Sequence, residues 1–184
     1  SCLVGSEMCI RDSVNSNSKQ YPKETAMVGE IWQIGDVRIT RVVEIEATGG
    51  MSRIIPDAKR ELVREIEWLY PHFCDADGRM RGAIHALIVD TPHTNKNEDT
   101  CIGNDKERAY PRWNKMQGDY LEKLTTAGFS TEQFDTVLCT HMHVDHVGWN
   151  TRLINNQWVP TFMRVTHIAT TRWMPTLRLV IYRH

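Results

Sequence analysis

Thr136-Val-Leu-Cys-Thr-His141-Met-His143-Val-Asp145-His146-Val-Gly148-Trp149-Asn150 is the stretch on which the reading of this chain turns. Thr136 to Thr140 are mostly apolar and β-favouring, which suits a short buried strand. Four potential metal ligands then arrive in close succession: His141, His143, Asp145 and His146. In extended chain, residues two apart point the same way and lie roughly 6–7 Å apart at Cα. His141 and His143 can therefore converge on one cation, which i and i+2 positions of a helix could not do. Asp145 and His146 follow where the chain must turn, so their side chains diverge from the first pair and can serve a second cation. Gly148 permits the turn. Imidazole together with carboxylate suits zinc, with iron or manganese as alternatives. A His-rich surface loop is the competing reading, but three His and an Asp in this order, straight after an apolar strand, favour metal.

Length and composition set the frame for this site. At 184 residues the chain is long enough for one domain with a sizeable core. Hydrophobic content of 41% and charged content of 24% are ordinary for a soluble globular protein. A net charge of −1 provides no field to steer nucleic acid or an anionic membrane. No apolar run reaches the ~18–20 residues of a transmembrane helix. Five cysteines (Cys2, Cys9, Cys74, Cys101, Cys139) are odd in number and lack close paired spacing. That argues for reduced thiols in a cytosol-like, cytoplasmic compartment rather than a disulfide framework.

Upstream of the ligand stretch the chain alternates strand and helix signals. Ile31-Trp-Gln-Ile34, a Gly35-Asp36 turn and Val37 to Ile45 predict a β-hairpin, with Val37, Ile39, Val43 and Ile45 on one face and Arg41 breaking it. Gly49-Gly50 ends that unit. Pro56 and Asp57 open a predicted helix to about Leu69, with Leu62, Ile66 and Leu69 at helical spacing. Ala83 to Asp90 reads as a buried strand, and His85 within it as a hydrogen-bonded core residue rather than a ligand. Asp119 to Ala127 predicts a helix with Tyr120, Leu121 and Leu124 inward and Gly128 just past its end. Ser130 caps the short turn that feeds the ligand strand. Strands before and after helices, with a buried strand ending at the ligands, indicate an α/β layered domain.

The ligand stretch resembles the His-x-His-x-Asp-His signature of the metallo-β-lactamase superfamily. Asp99-Thr-Cys-Ile-Gly-Asn-Asp-Lys106, Phe134 to Thr151 and Trp158-Val-Pro-Thr-Phe162 resemble a hydrolase branch near the lactonases, so the likeness covers roughly residues 28–162. It implies an αββα sandwich, two β-sheets face to face with helices outside, of which this chain reaches about the first half. It also implies an acidic residue at Asp99 beneath the metal site, bonding to backbone or ligand groups; metal-bound His commonly needs such a partner. The same resemblance implies an apolar strand just before Asp99-Thr100. Asn95-Lys-Asn-Glu98 is polar instead, which argues against a strand there.

The two ends are read differently. Leu3 to Asp12 resembles the translation of a sequencing-library adapter, so residues 1–13 are expected to be an artefact, with any original signal peptide lost. Residues 14–27 are polar and expected to be loose. After Phe162 the likeness fades; Met163-Arg-Val-Thr166 fits a frame error, and residues 163–184 are expected to be a displaced end.

Counting ligands then sets the functional expectation. A catalytic zinc usually has three protein ligands plus water. Here each pair supplies two, and the family draws the rest from further along than residue 184. Downstream only His167 and His184 remain, in unmatched contexts. The expectation for the intact protein is a metal-dependent hydrolase with two zinc ions and Asp145 as the catalytic carboxylate. The resemblance implies a lactone or other ester as its small-molecule substrate. The alternatives are a non-catalytic metal-binding fragment, or a thioesterase, phosphodiesterase, nuclease or organophosphate hydrolase of the same superfamily. A nuclease is disfavoured by the neutral charge and the lack of a basic-aromatic patch.

Overall fold

Alternating residues and a two-residue turn build the first unit. The computed structural model describes residues 29–163, 165–170 and 179–183; the stretches expected to be an artefact (1–13) and loose (14–27) lie outside the described residues. β1 (Ile31–Ile34) and β2 (Val37–Thr48) pair antiparallel across Gly35-Asp36, with Gly35 at a φ of 58°. Such a left-handed turn residue matches the twist of the flanking strands.

The buried face of β2 is not the apolar one that its sequence advertises. Arg38, Thr40, Val42 and Glu44 are the buried positions, while Val37, Ile39, Val43 and Ile45 are half-buried. The sheet therefore turns a largely polar stripe inward; Glu44 finds donors there, whereas the buried Thr40 hydroxyl has no hydrogen-bond partner among the described residues. Between Val43 and Ile45 the register with the next strand slips, leaving Glu44 without a cross-strand mate. A β-bulge of this kind re-aims a side chain.

β3 (Arg81–Asp90) pairs along β2, and β4 (Asn95–Glu98) pairs antiparallel with β3. The polar segment 95–98 thus does form a strand, contrary to its composition. β3 on one side and β5 (Thr136–Cys139) on the other supply its backbone partners. Ladder bonds of this kind override the low β-propensity of Asn and Lys. β4 and β5 run parallel, as do β5 and β8 (Thr166–Thr170), which then pairs antiparallel with β9 (Leu179–Arg183). The described strands make a seven-stranded mixed sheet in the order β1-β2-β3-β4-β5-β8-β9. β6 (Thr151–Ile154) and β7 (Gln157–Pro160) form a separate hairpin, turned by left-handed Asn155 and Asn156.

Helix is sparse. The predicted helix over 56–69 shrinks to α1 (Arg60–Arg64) and a single tight turn, Glu67–Leu69. Extended backbone at Ile66 separates them, and no side chain caps either start. Leu62 and Ile66 are 45% and 41% exposed; of the expected residues Leu69 alone is buried, and Val63 takes the other inward place. α2 (Tyr120–Thr126) matches expectation: Tyr120 and Leu124 are buried, and Gly128, at a φ of 93°, follows the end. The Ser130 turn closes as a capping box with Gln133. Among the described residues no helix is long and apolar enough to cross a membrane.

α2 packs its buried face on the sheet. Val42, Ala86, Ile88, Val137 and Cys139 from the strands meet Tyr120 and Leu124 from the helix. Phe134 and Phe162 cross edge to face at 5.4 Å, and Tyr120 stacks on Trp149 at 5.7 Å. Ile88 is wholly buried at the centre of this sheet. Ile88→Ala should lower unfolding stability by about 2–5 kcal/mol, read from the urea midpoint at unchanged slope.

Candidate metal centre

The parallel strands β4 and β5 end side by side, and the chemistry sits where they stop. β4 runs into Asp99 and β5 runs into Thr140 and the ligand loop. Two segments, 99–103 and 146–149, are then laced together by backbone. Thr100 N–H donates to His146 O at 2.8 Å, Gly148 N–H to Cys101 O at 2.7 Å, and Trp149 N–H to Thr100 O at 2.7 Å. A side chain at Gly148 would drive a Cβ to 1.8 Å from Ile102 O, so only glycine fits this approach. Asp99 and Cys101 take left-handed φ values of 58° and 52°. Backbone strain of that type concentrates at functional sites.

On this frame the loop presents its donors in two pairs. His141 Nε2 and His143 Nδ1 lie 3.1 Å apart. Two nitrogens bound to one tetrahedral zinc at 2.0–2.1 Å are separated by about 3.3 Å, so the pair already has the spacing of two ligands on one ion. Asp145 Oδ2 and His146 Nε2 lie 3.6 Å apart. The His141 and His146 rings are 3.9 Å apart at their centroids, which brings the two pairs into one neighbourhood. Among the described residues no group of three or more His, Cys, Asp or Glu is placed to hold a single ion. The chemistry and spacing of the donors fit metal, two donors at a time.

Asp99 lies directly behind them. Its carboxylate accepts from the Thr140 N–H at 2.8 Å and from the Thr140 hydroxyl at 2.8 and 3.0 Å. Its Oδ2 also lies 2.7 Å from His146 Nδ1. A proton on Nδ1, donated to Asp99, leaves Nε2 bare and directed toward Asp145, the tautomer a ligand needs. Thr140, which the sequence did not single out, spans the site: its hydroxyl also lies 3.1 Å from His141 Nδ1. Nothing in its residue type marked it; only its place between the strand and the first His could have.

The other candidates lie elsewhere. His167 pairs with Val137 inside β8, two residue pairs before the strand end from which the ligands spring. His184 lies outside the described residues. His85 sits on β3 opposite Val43 and is not one of the paired donors. Burial, and then Arg41, hold its imidazole below the ordinary value. Cys74, Cys101 and Cys139 are buried and unpaired to one another, and burial raises the Cys101 thiol far above its usual value and Cys139 less so. Thiols held protonated in this way are poor ligands beside bare imidazoles.

His141 is kept below the ordinary imidazole value by burial first, then by the His146 and His143 rings. As pH falls through about 6.5, an unfolded His141 takes up a proton that the folded one refuses. Stability from this group is therefore present above that range and declines with acid. In the metal-free chain, ring shifts followed against pH should show His141 titrating below the imidazole of a short unstructured histidine peptide.

Residues 99–173 match the family model of the metallo-β-lactamase superfamily. No curated protein sequence gives a significant match. Among solved structures the chain is similar to the hydrolase AbOPH of the β-lactamase superfamily, at 25% identity over 79% of this chain and 45% of that one, with a TM-score of 0.55. It is similar to a probable metal-dependent hydrolase from Staphylococcus aureus, at 20% identity over 74% and 47% of the two chains and a TM-score of 0.53. A third likeness is to AidC, a dizinc quorum-quenching lactonase in complex with a product, N-hexanoyl-L-homoserine, at 21% identity over 78% and 45% of the chains and a TM-score of 0.53. The chain spans about half the length of these solved relatives. The stretch that matches the superfamily model, residues 99–173, contains Asp99, β5 and the whole ligand loop, and the mixed sheet around it is similar to the folds of these solved hydrolases.

Proposed function

We propose that this chain carries the first half of a two-metal hydrolase centre, and that the intact protein cleaves a lactone or other ester. The observation that carries the reading is the pairing of donors: His141 Nε2 with His143 Nδ1 at 3.1 Å, and Asp145 Oδ2 with His146 Nε2 at 3.6 Å. His141 and His143 would hold one cation, and Asp145 and His146 the other. Zinc suits this mixture of imidazole and carboxylate, with iron or manganese as alternatives. Bound there, such ions supply a water of pKa near about 7 and positive charge for a developing oxyanion.

The chain's own side chains then have distinct tasks. Asp99 keeps His146 in the tautomer whose Nε2 is bare. Thr140 orients both Asp99 and the His141 ring. Asp145, half-exposed at the loop surface, has a second carboxylate oxygen that can orient the nucleophile and pass a proton to the leaving alcohol. The lactone assignment leans on the likeness to AidC and on no substrate-binding residue of this chain. A small-molecule substrate also agrees with the net charge of −1, which offers no attraction to nucleic acid.

With two donors per ion, this chain should bind zinc weakly and hydrolyse esters poorly. A chain extended with the remaining ligands should do both well. Zinc content by elemental analysis and turnover of a γ-lactone, measured on both chains, decide the matter. His143→Ala in the extended chain should remove most turnover and one equivalent of zinc. Undiminished turnover in that variant would put the chemistry elsewhere, and full activity of the short chain would mean that His85, His167 or His184 completes the site.

A further inference from the structure

Glu44 is a buried acid that the metal chemistry above does not use. It stands at the bulge of β2, 7% exposed, far from the ligand loop in sequence. Its Oε2 accepts from the Ile102 N–H at 2.7 Å. Its Oε1 accepts from the Gly103 N–H at 3.1 Å and from the Trp149 indole N–H at 2.6 Å. Burial pushes the carboxyl up, while these three donors and Lys123 pull it back down. Lys123 itself reaches the Glu44 carbonyl at 3.5 Å and pairs with Asp119 at 2.8 Å.

What Glu44 grips matters more than its burial. Ile102 and Gly103 end the segment that begins at Asp99, and Trp149 ends the segment that begins at His146. These are the two segments laced by the Thr100–His146, Cys101–Gly148 and Thr100–Trp149 backbone bonds. One carboxylate therefore clamps the far ends of both, while Asp99 and His146 meet at 2.7 Å at the near ends. A bond to a charged acceptor is stronger than a neutral one, and a bidentate carboxylate fixes direction as well as distance. A purely structural need for burial at this position would be met by a valine or isoleucine, as at the neighbouring strand positions. A bulge that aims a carboxylate at three convergent donors serves placement.

We propose that Glu44 is a positioning residue for the candidate metal centre: through Ile102, Gly103 and Trp149 it sets the Asp99–His146 contact, and with it the tautomer and placement of His146. The His141–His143 pair lies beyond this clamp and depends on it less. The proposal rests on the metal reading only for its second readout below.

The test compares Glu44→Gln with Val63→Ala, a truncation in a separate small cluster with Leu69 and Cys74. The glutamine keeps the shape but turns an NH2 group toward at least one of the three donors. In the metal-free chain, long-range proton–nitrogen correlation of the imidazoles reports each tautomer. Wild type and Val63→Ala should both show His146 protonated at Nδ1, whereas Glu44→Gln should show a mixture at His146 and a nearly unchanged His141. Zinc affinity by competition with a chelating dye should fall about 10- to 100-fold in Glu44→Gln, the usual effect of losing a partner behind a ligand, and stay within twofold in Val63→Ala. A wild-type His146 signature in Glu44→Gln overturns the proposal, as does an equal change in both variants. If Glu44→Gln does not fold, Trp149→Phe removes one donor and should give a smaller shift of the same kind; an unmoved His146 there overturns it too. If wild type binds no zinc at all, the metal reading fails while the tautomer comparison still decides the role of Glu44.

Discussion

Two loops that touch through bare backbone hold this structure's working end together. Segments 99–103 and 146–149 approach so closely that Gly148 admits no side chain, and their peptide groups satisfy one another. Each loop alone would be a surface excursion with unpaired N–H and C=O groups. Joined, they convert the ends of two parallel strands into a rigid shelf. The strained φ values at Asp99 and Cys101 are tolerated because this lacing over-determines them.

Two buried carboxylates, Asp99 and Glu44, sit at opposite ends of the shelf. The side-chain bonds of both come from backbone N–H groups, a hydroxyl, an indole and an imidazole, with Lys123 adding only a weaker attraction at Glu44. Buried acids are costly unless bonded in this way. Their cost is offset by three or more directed bonds each, and the return is directional. They hold ring planes and loop ends where a merely apolar core would let them turn.

The seven-stranded sheet spreads tolerance unevenly. Its central strands are packed on α2 and an aromatic cluster, so volume matters there. Its first hairpin and the α1 region leave large apolar side chains exposed, among them Trp32, Ile34, Trp68 and Phe73. The chain is about half the length of its solved relatives, and the strength of its fold is concentrated beneath the ligand loop.

The sequence by itself determined the β1–β2 hairpin, the buried strand β3, the helix α2 with its glycine stop, and the strand that delivers the ligands. Those are local matters of period, turn chemistry and capping. It also singled out His141, His143, Asp145 and His146 by spacing, and Asp99 by resemblance. Tertiary structure alone decided three things. The polar stretch 95–98 became a strand because partners on both sides supplied its hydrogen bonds. The buried face of β2 became the polar one because Glu44 had donors waiting on loops more than fifty residues away in sequence. α1 stayed short because Val63 and Leu69, not Leu62 and Ile66, found apolar neighbours. In the first two cases a contact distant in sequence outweighed a local preference, and in the third a nearby cluster chose a different face; single-chain periodicity carries no record of either.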